Sequence, residues 1–433
     1  KQGQQKDEAI RQAIHINFWP VVITSVTTAI GFLTMNFSDA PPFRDLGNIV
    51  AVGIFSAMIY SLVFLPALVN LIVPKQFTQS TGAINNPDNY IKYANFVIRH
   101  RIKLLIGSSL VAIITSLGML KIELNDDFIR YFDERYQYRI DSEYVMDNLT
   151  GLYTIEYSLS SGESGGIHKP DYLRTVESFS DWYLEQPEAV HVSSFIPIIK
   201  KLNMNINGDD KSYYRIPDDA DEIAQFLLLF EVSLPFGQDL NNQIDIDKSS
   251  LRVIVTLNDV TANEVREIDE RAQRWLVENA PPFMRTDGTG LAMMYAHLSE
   301  RNIKSMMLAT FGMLILISII LIFAFKSVKF GVLSLLPNLM PAFMAFGVWG
   351  LTMERIGIPA SVLLSLAVGI VVDDTVHFIS KYLRARRDVK LNPNEAIVQT
   401  FVGVGPAIVT TTVTLVIGFA ILLISGYKPN SDM

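Results

Sequence analysis

The sequence has no cysteine among its 433 residues, six histidines and four tryptophans. Without cysteine there is no disulfide scaffold and no thiol nucleophile. The formal net charge is −8, and 49% of residues are hydrophobic, with a mean hydropathy of +0.27. That hydropathy is high for a soluble chain of this size and excludes a disordered one. Positive charge is also missing where a nucleic-acid partner would need it. Residues 122–300 hold 33 acidic and 15 basic residues, a balance of −18, whereas the rest holds 11 acidic and 21 basic, a balance of +10. An acidic block is set into a basic, apolar frame, and no basic face with interleaved aromatics appears in it.

Uncharged runs locate the frame at 12–38, 46–73, 104–120, 305–325, 330–353, 356–372 and 396–427. A spanning helix needs about 20 mostly apolar residues. The sixth run reaches that length by continuing through Asp373 and Asp374 to Ser380, so seven spans are expected. Lys and Arg gather in alternate short loops: Lys75 to Lys103, Lys326 with Lys329, and Lys381 to Lys390. The positive-inside rule puts these loops in the cytoplasm and the acidic block outside. A bacterial inner membrane, with 122–302 on the periplasmic side, fits the absence of cysteine there. The expected plan is two spans in 1–74, a cytoplasmic linker with an amphipathic segment in 75–102, and a span in 103–121. An α/β outer domain in 122–302, four spans in 303–427 and an outer loop in 428–433 complete it.

Residues 8–45 and 395–432 match at a constant offset of 387, with 14 of 38 positions identical. The pairs include Glu8/Glu395, Thr24/Thr411, Thr27/Thr414, Gly31/Gly418 and Pro42/Pro429. Six crossings separate the copies, so the repeat is parallel, as in transporters built from two similar halves. Span two follows the first copy, and the span with Asp373 precedes the second. Their counterparts are expected beyond Met433 and before Lys1, which makes the chain part of a larger protein.

The outer block reads as mixed α/β. Strands are expected at 153–159, 252–257 and near 285–288, and helices at 169–185, 220–230 and 262–279. Thr261 with Glu264 forms a capping box before the last helix. The order strand, helix, strand suggests a split βαβ arrangement on an antiparallel or mixed sheet. The block contains no phosphate loop, metal-spaced histidine cluster or nucleophile–base set, so no enzyme, cofactor or metal is expected. Asn148-Leu-Thr150 fits a glycosylation acceptor, a common triplet.

The chemistry-bearing feature is Gly369-Ile-Val-Val-Asp373-Asp374-Thr-Val-His377. A carboxylate in hydrocarbon costs several kcal/mol unless it is neutralised or faces a polar path, and two adjacent acids raise the cost of ionising both. His377, four residues after Asp373, shares its helical face. A proton relay of Asp373, Asp374 and His377 is one reading; acids that cap the membrane boundary ahead of Lys381 are the other. Thr411, Thr412 and Thr414 in span seven, and Thr24 and Thr27 in span one, are relay or packing candidates. Threonine in a membrane helix commonly bonds its own helix carbonyls. Gly31 and Gly418 suit close helix approach. Pro337-Asn-Leu-Met-Pro341 interrupts span five, where Asn338 either satisfies freed backbone groups or lines a path.

These residues resemble the resistance–nodulation–division (RND) superfamily, and within it the MMPL-type, hydrophobe/amphiphile exporter branch. The resemblance rests on the Asp373-Asp374 span, Leu335-Leu-Pro-Asn-Leu-Met-Pro341 and Thr411-Thr-Val-Thr-Leu-Val-Ile-Gly-Phe419. It implies twelve spans in two halves, each half with an extracytoplasmic domain, of which this chain is similar to spans five to eleven with the second domain. It further implies export driven by the proton gradient, coupled at Asp373 and Asp374. Expected partners are a membrane lipid or amphiphilic small molecule and the remainder of the same protein, with a homo-oligomer left open and no nucleic acid. A lipid- or sterol-responsive receptor of the Patched or sterol-sensing type, without net export, is the alternative; a protein-translocation motor of the same superfamily is a third.

Overall fold

A computed structural model describes residues 6–72, 87–127, 129–235, 239–353 and 355–431. Chain contacts divide it into a unit of residues 1–124 with 300–433 and a unit of residues 125–299. Among the described residues, seven helices are long and apolar enough to cross a membrane: Ile10–Phe37, Pro41–Ile72, Asp88–Lys121, Leu291–Phe325, Val328–Thr352, Ile358–Arg387 and Pro393–Leu422. They coincide with the seven uncharged runs.

The first segment is α1 (Lys6–Leu33), ending in a 3-10 turn at Thr34–Phe37. Pro41 opens α2 (Pro41–Ile59), where its missing N–H costs nothing. A π turn at Tyr60–Phe64 leads into α3 (Leu65–Ile72). The Leu65 N–H reaches back five residues to the Tyr60 carbonyl, which widens the helix just ahead of Pro66. Helix α4 (Pro87–Ser116) is bent at His100. Residues 88–102, the amphipathic segment of the expected linker, thus continue the spanning helix, while 75–86 lie outside the described residues. A short strand β1 (Glu123–Leu124) ends this segment.

The second unit starts with α5 (Gln137–Asn148), β2 (Tyr153–Ser160), α6 (Pro170–Leu184) and β3 (Ala189–Ser193). It continues with α7 (Ile196–Ile206), α8 (Ala220–Ser233), β4 (Ser250–Leu257) and α9 (Ala262–Asn279). Strand β4 lies between β2 and β3 and is antiparallel to both. The β2–α6–β3 crossover is therefore split by β4, as the strand–helix–strand order suggested. Alternation sets the buried face: Ile155, Tyr157 and Leu159 on β2 and Leu251, Val253, Val255 and Leu257 on β4 are covered by α6 and α9. Tyr172 of α6 ties the two strands, donating to the Leu159 carbonyl at 2.6 Å and accepting from the Leu251 N–H at 3.1 Å. The Thr261–Glu264 capping box is formed.

Two expectations for this unit are corrected. Residues 285–288 form no strand; only Thr289 bridges to Glu156. Period-two patterning over four residues is too short to distinguish a strand from an extended loop. Strand β3 and helices α5 and α7 were not anticipated. β3 is an edge strand with exposed Val190 and a register shift between Ala189 and His191, so its alternation is faint.

The chain then enters α10 (Leu291–Phe325). Its 35 residues extend about 52 Å at 1.5 Å per residue, well over the ~30 Å hydrocarbon core. Next come α11 (Val328–Leu333) and α12 (Leu335–Thr352), broken at Ser334. β5 (Arg355–Ile356) pairs in parallel with β1. The segment closes with α13 (Ile358–Arg387) and α14 (Pro393–Leu422). Glu395, one of the repeated residues, forms a capping box with Asn392 at the start of α14. Helix α13 is the hub of the membrane unit. Val368, Val372, Val376 and Leu383 pack on Met313, Ile317, Leu321 and Phe325 of α10, and α1 crosses α13 on another side.

Candidate functional site

Helix α13 carries the acid pair near its middle, Asp373 being the sixteenth of its thirty residues. Val372 and Val376 are turned into the core with α10, so the neighbouring positions 373, 374 and 377 face other sides of the helix. His377 Nε2 lies 3.3 Å from Asp373 Oδ1. This is an ion-pair distance, but that oxygen is buried and accepts no aligned hydrogen bond. One turn links the two groups, as the i, i+4 spacing anticipated.

Asp374 faces α14. Thr411 Oγ1 is 3.4 Å from Asp374 Oδ1 and 2.9 Å from the Ile408 carbonyl of its own helix. A hydroxyl has one hydrogen, so the shorter bond to Ile408 dominates and Asp374 is weakly served. Thr412 and Thr414 are exposed on α14 and do not join this contact. Thr24 and Thr27 are buried in α1, yet both donate to carbonyls of their own helix, Thr24 to Val21 and Thr27 to Ile23 and Thr24.

Asn338 of α12 meets α13 at Thr375, the residue after the acid pair. Its Oδ1 accepts from Thr375 Oγ1 at 2.6 Å, while its Nδ2 is buried and has no partner. Pro337 sits third in α12, within the first turn, where its missing N–H breaks no bond; Pro341 is inside the helix. Asn338 therefore bonds a side chain of α13 rather than the backbone that the prolines affect. Thr375 was not singled out from the sequence, although its place directly after Asp374 was the available signal.

One turn before Asp373, α13 meets α1 backbone to backbone. Thr28 Oγ1 donates to the Gly369 carbonyl at 3.1 Å, and a Cβ built on Gly31 would lie 2.9 Å from Gly369 Cα. Two glycines allow this approach, and no larger residue fits at Gly31. Gly418, its partner in the repeat, touches nothing within 4 Å of an added Cβ. The expected role in helix approach is thus realised at Gly31 and not at Gly418 among the described residues.

A carboxylate pair in mid-span, a histidine one turn on, and an amide with a spare donor on the next helix make a polar site within an apolar bundle. A model of the MMPL family matches residues 1–87 and 241–431, well over half of the sequence. The chain belongs to the MMPL family. A protein of Methanocaldococcus jannaschii whose name calls it a membrane protein is 26% identical over 282 residues, 64% of this chain and 69% of its own. Among solved structures, the hedgehog release protein Disp from the water bear Hypsibius dujardini aligns with 98% of this chain and 56% of its own. The TM-score is 0.62 at 12% identity. SecDF, a translocon-associated membrane protein from Thermus thermophilus, aligns with 99% of this chain and 47% of its own, with a TM-score of 0.52 at 15% identity. These likenesses show the fold, and the MMPL chain spans about half the length of each solved relative. It is a membrane protein of the MMPL family.

Proposed function

We propose that this MMPL chain is part of a proton-coupled exporter of hydrophobic or amphiphilic, lipid-like molecules in a bacterial inner membrane, with residues 122–302 on the periplasmic side. The observation that carries the reading is the buried Asp373 oxygen that accepts no aligned hydrogen bond, with His377 3.3 Å away and Asp374 beside it. An ionised carboxyl at mid-span costs about 3 kcal/mol on insertion scales. Binding a proton removes that cost, and releasing it restores it, so the charge state of α13 is a lever on how its neighbours pack. Asp373, Asp374 and His377 carry the proton in this scheme. Asn338 and Thr375 set the polarity on the α12 side, and Thr411 makes a minor contact from α14. The Gly31–Gly369 contact holds α1 against α13 one turn away, so a change at the acids is transmitted to α1. Helix α10, packed on α13 by four residues, continues without a break to Leu291 and carries the change along the chain.

The second reading is a lipid- or sterol-responsive protein without net export. The Disp relative, whose title calls it a hedgehog release protein, shares the fold. One assay separates the two: export of a labelled amphiphile from cells or vesicles carrying the full-length protein, with the proton gradient imposed and then collapsed. Export that stops with the gradient, and in an Asp373→Asn/Asp374→Asn variant, supports the exporter. Undiminished export by that variant overturns proton coupling at this site; retention of the amphiphile by the wild type favours the receptor.

A further inference from the structure

Two segments far apart in sequence meet at one end of the membrane unit. One is the turn after α10 (326–329); the other is the end of α13 with the turn that follows it (381–390). Arg387 Nη1 joins them by donating to the Phe325 carbonyl at 2.8 Å, and the Phe330 and Tyr382 rings lie 6.1 Å apart. The two segments together hold seven cations and one acid, Asp388.

The positive-inside rule accounts for a surplus of charge but not for its arrangement. Lys381 is engaged by Asn17 of α1 at 3.3 Å, and Arg384 by Asp388 at 3.8 Å. Arg386 and Arg387 donate to the carbonyls of Leu391 and Phe325, which anchors each guanidinium and neutralises neither. Lys326, Lys329 and Lys390 are exposed and meet no acid among the described residues. Lys326 and Lys390 have φ of 49° and 58°, left-handed values that glycine adopts freely and lysine adopts at a cost. Cations gathered in this way repel one another unless counter-charge arrives.

Their neighbours select the counter-charge. Phe323, Val328 and Leu333, which flank Lys326 and Lys329, are 77%, 65% and 53% exposed. An acidic protein segment would satisfy the cations and leave these side chains uncovered. A phospholipid covers both, with its phosphate on the cations and its acyl chains on the apolar residues. The guanidinium fork matches phosphate oxygens. Lysines at a membrane boundary extend their charge to headgroups along an apolar stem, and each adds attraction to anionic lipid. We infer that this face binds the phosphate of an anionic glycerophospholipid, with Arg386 and Arg387 donating and Lys326, Lys329 and Lys390 supplying charge. This depends neither on proton coupling at Asp373 nor on the orientation of the chain in the membrane.

The test incubates the detergent-solubilised full-length protein with equal amounts of phosphatidylglycerol and phosphatidylcholine of the same acyl chains. Retained lipids are measured by mass spectrometry. Phosphatidylglycerol should be enriched about thirtyfold, and Lys326→Gln/Lys329→Gln/Lys390→Gln should lower that about tenfold. Arginine at the same three positions keeps the charge and should keep the enrichment. A charge-matched control on α4, Lys92→Gln/Arg101→Gln/Lys103→Gln, should leave it unchanged, since those cations are spread along one helix. Equal retention of both lipids by the wild type, enrichment unchanged in the glutamine variant, or the same loss in the α4 control overturns the site. Displacement of phosphatidylglycerol by glycerol phosphate, which lacks acyl chains, overturns the lipid as occupant. Displacement by polyglutamate does so too, and assigns the face to an acidic protein segment.

Discussion

Two aspartates, one in each unit, show how differently the same side chain can be housed. Asp269 on α9 is 3% exposed and takes bonds on both oxygens: from Tyr157 at 2.7 Å and the Gly288 N–H at 2.9 Å on one, and from Gln273 at 2.7 Å on the other. Gly288 is required there, since a Cβ would lie 2.4 Å from Asp269 Oδ1. Asp373 on α13 has a buried oxygen with no aligned donor and a histidine within ion-pair distance. A fully served carboxylate fixes structure, because every partner holds it in one state. An underserved one leaves an acceptor unspent, and the proposed coupling at Asp373 draws on that acceptor.

The widest separation between the two comes from charge removal. Asp373→Asn/Asp374→Asn should reduce gradient-driven amphiphile flux by about 100-fold or more, the scale of a lost proton-transfer group. Its thermal stability should stay unchanged or rise, because two charges leave the bilayer interior. A double variant that melts far earlier than wild type would place Asp373 with Asp269 as a structural group.

The unit of residues 125–299 should respond to pH instead. Burial raises the hydroxyls of Tyr157, Tyr172 and Tyr183 above the ordinary tyrosine value; at Tyr157 the neighbouring Tyr183 and Asp269 add to it. A folded value above the unfolded one gives stability that is complete below the unfolded pKa of about 10 and is lost as pH climbs past it. Each such tyrosine contributes about 1.4 kcal/mol per pH unit above that point. Tyrosinate absorbance and loss of strand circular dichroism should therefore rise together above about pH 10. Ionisation of these tyrosines with the fold intact would contradict their burial.

Asp269→Ala should cost about 3 kcal/mol, since Tyr157, Gln273 and the Gly288 N–H all lose an acceptor and at least one stays buried. The measurement is thermal unfolding of the full-length protein followed by strand signal. A shift too small to resolve would mean that water replaces the carboxylate.

The membrane frame was legible in the sequence because hydrocarbon enforces a single rule: about 20 apolar residues per crossing. The acid pair stood out as an exception to that rule. The unit of residues 125–299 was half legible. β2, β4 and α9 carry strong period and capping signals, whereas β3 is a short exposed edge and 285–288 has too few residues to show a period. Among the site residues, His377 could be placed by helical spacing alone, but the Asn338–Thr375 bond depends on how α12 and α13 meet. The threonines were least legible: Thr24, Thr27 and Thr411 recur in the repeat, yet each bonds its own helix.

The repeated glycines provide the finest comparison, because the sequence treats them as equivalent and the packing does not. At Gly31 an added Cβ would lie 2.9 Å from Gly369 Cα and 3.3 Å from the Ser365 carbonyl, both backbone atoms that cannot rotate away. Gly31→Ala should therefore push α1 off α13 and cost about 1–2 kcal/mol, the overpacking range. Gly418→Ala meets nothing within 4 Å and removes a flexible residue from a helix interior, so it should stabilise α14 by about 0.5–1 kcal/mol. Thermal unfolding of the two single variants in the same detergent should give shifts of opposite sign. A destabilising Gly418→Ala in the full-length protein would show that a further helix packs there, at the position that α13 occupies against Gly31.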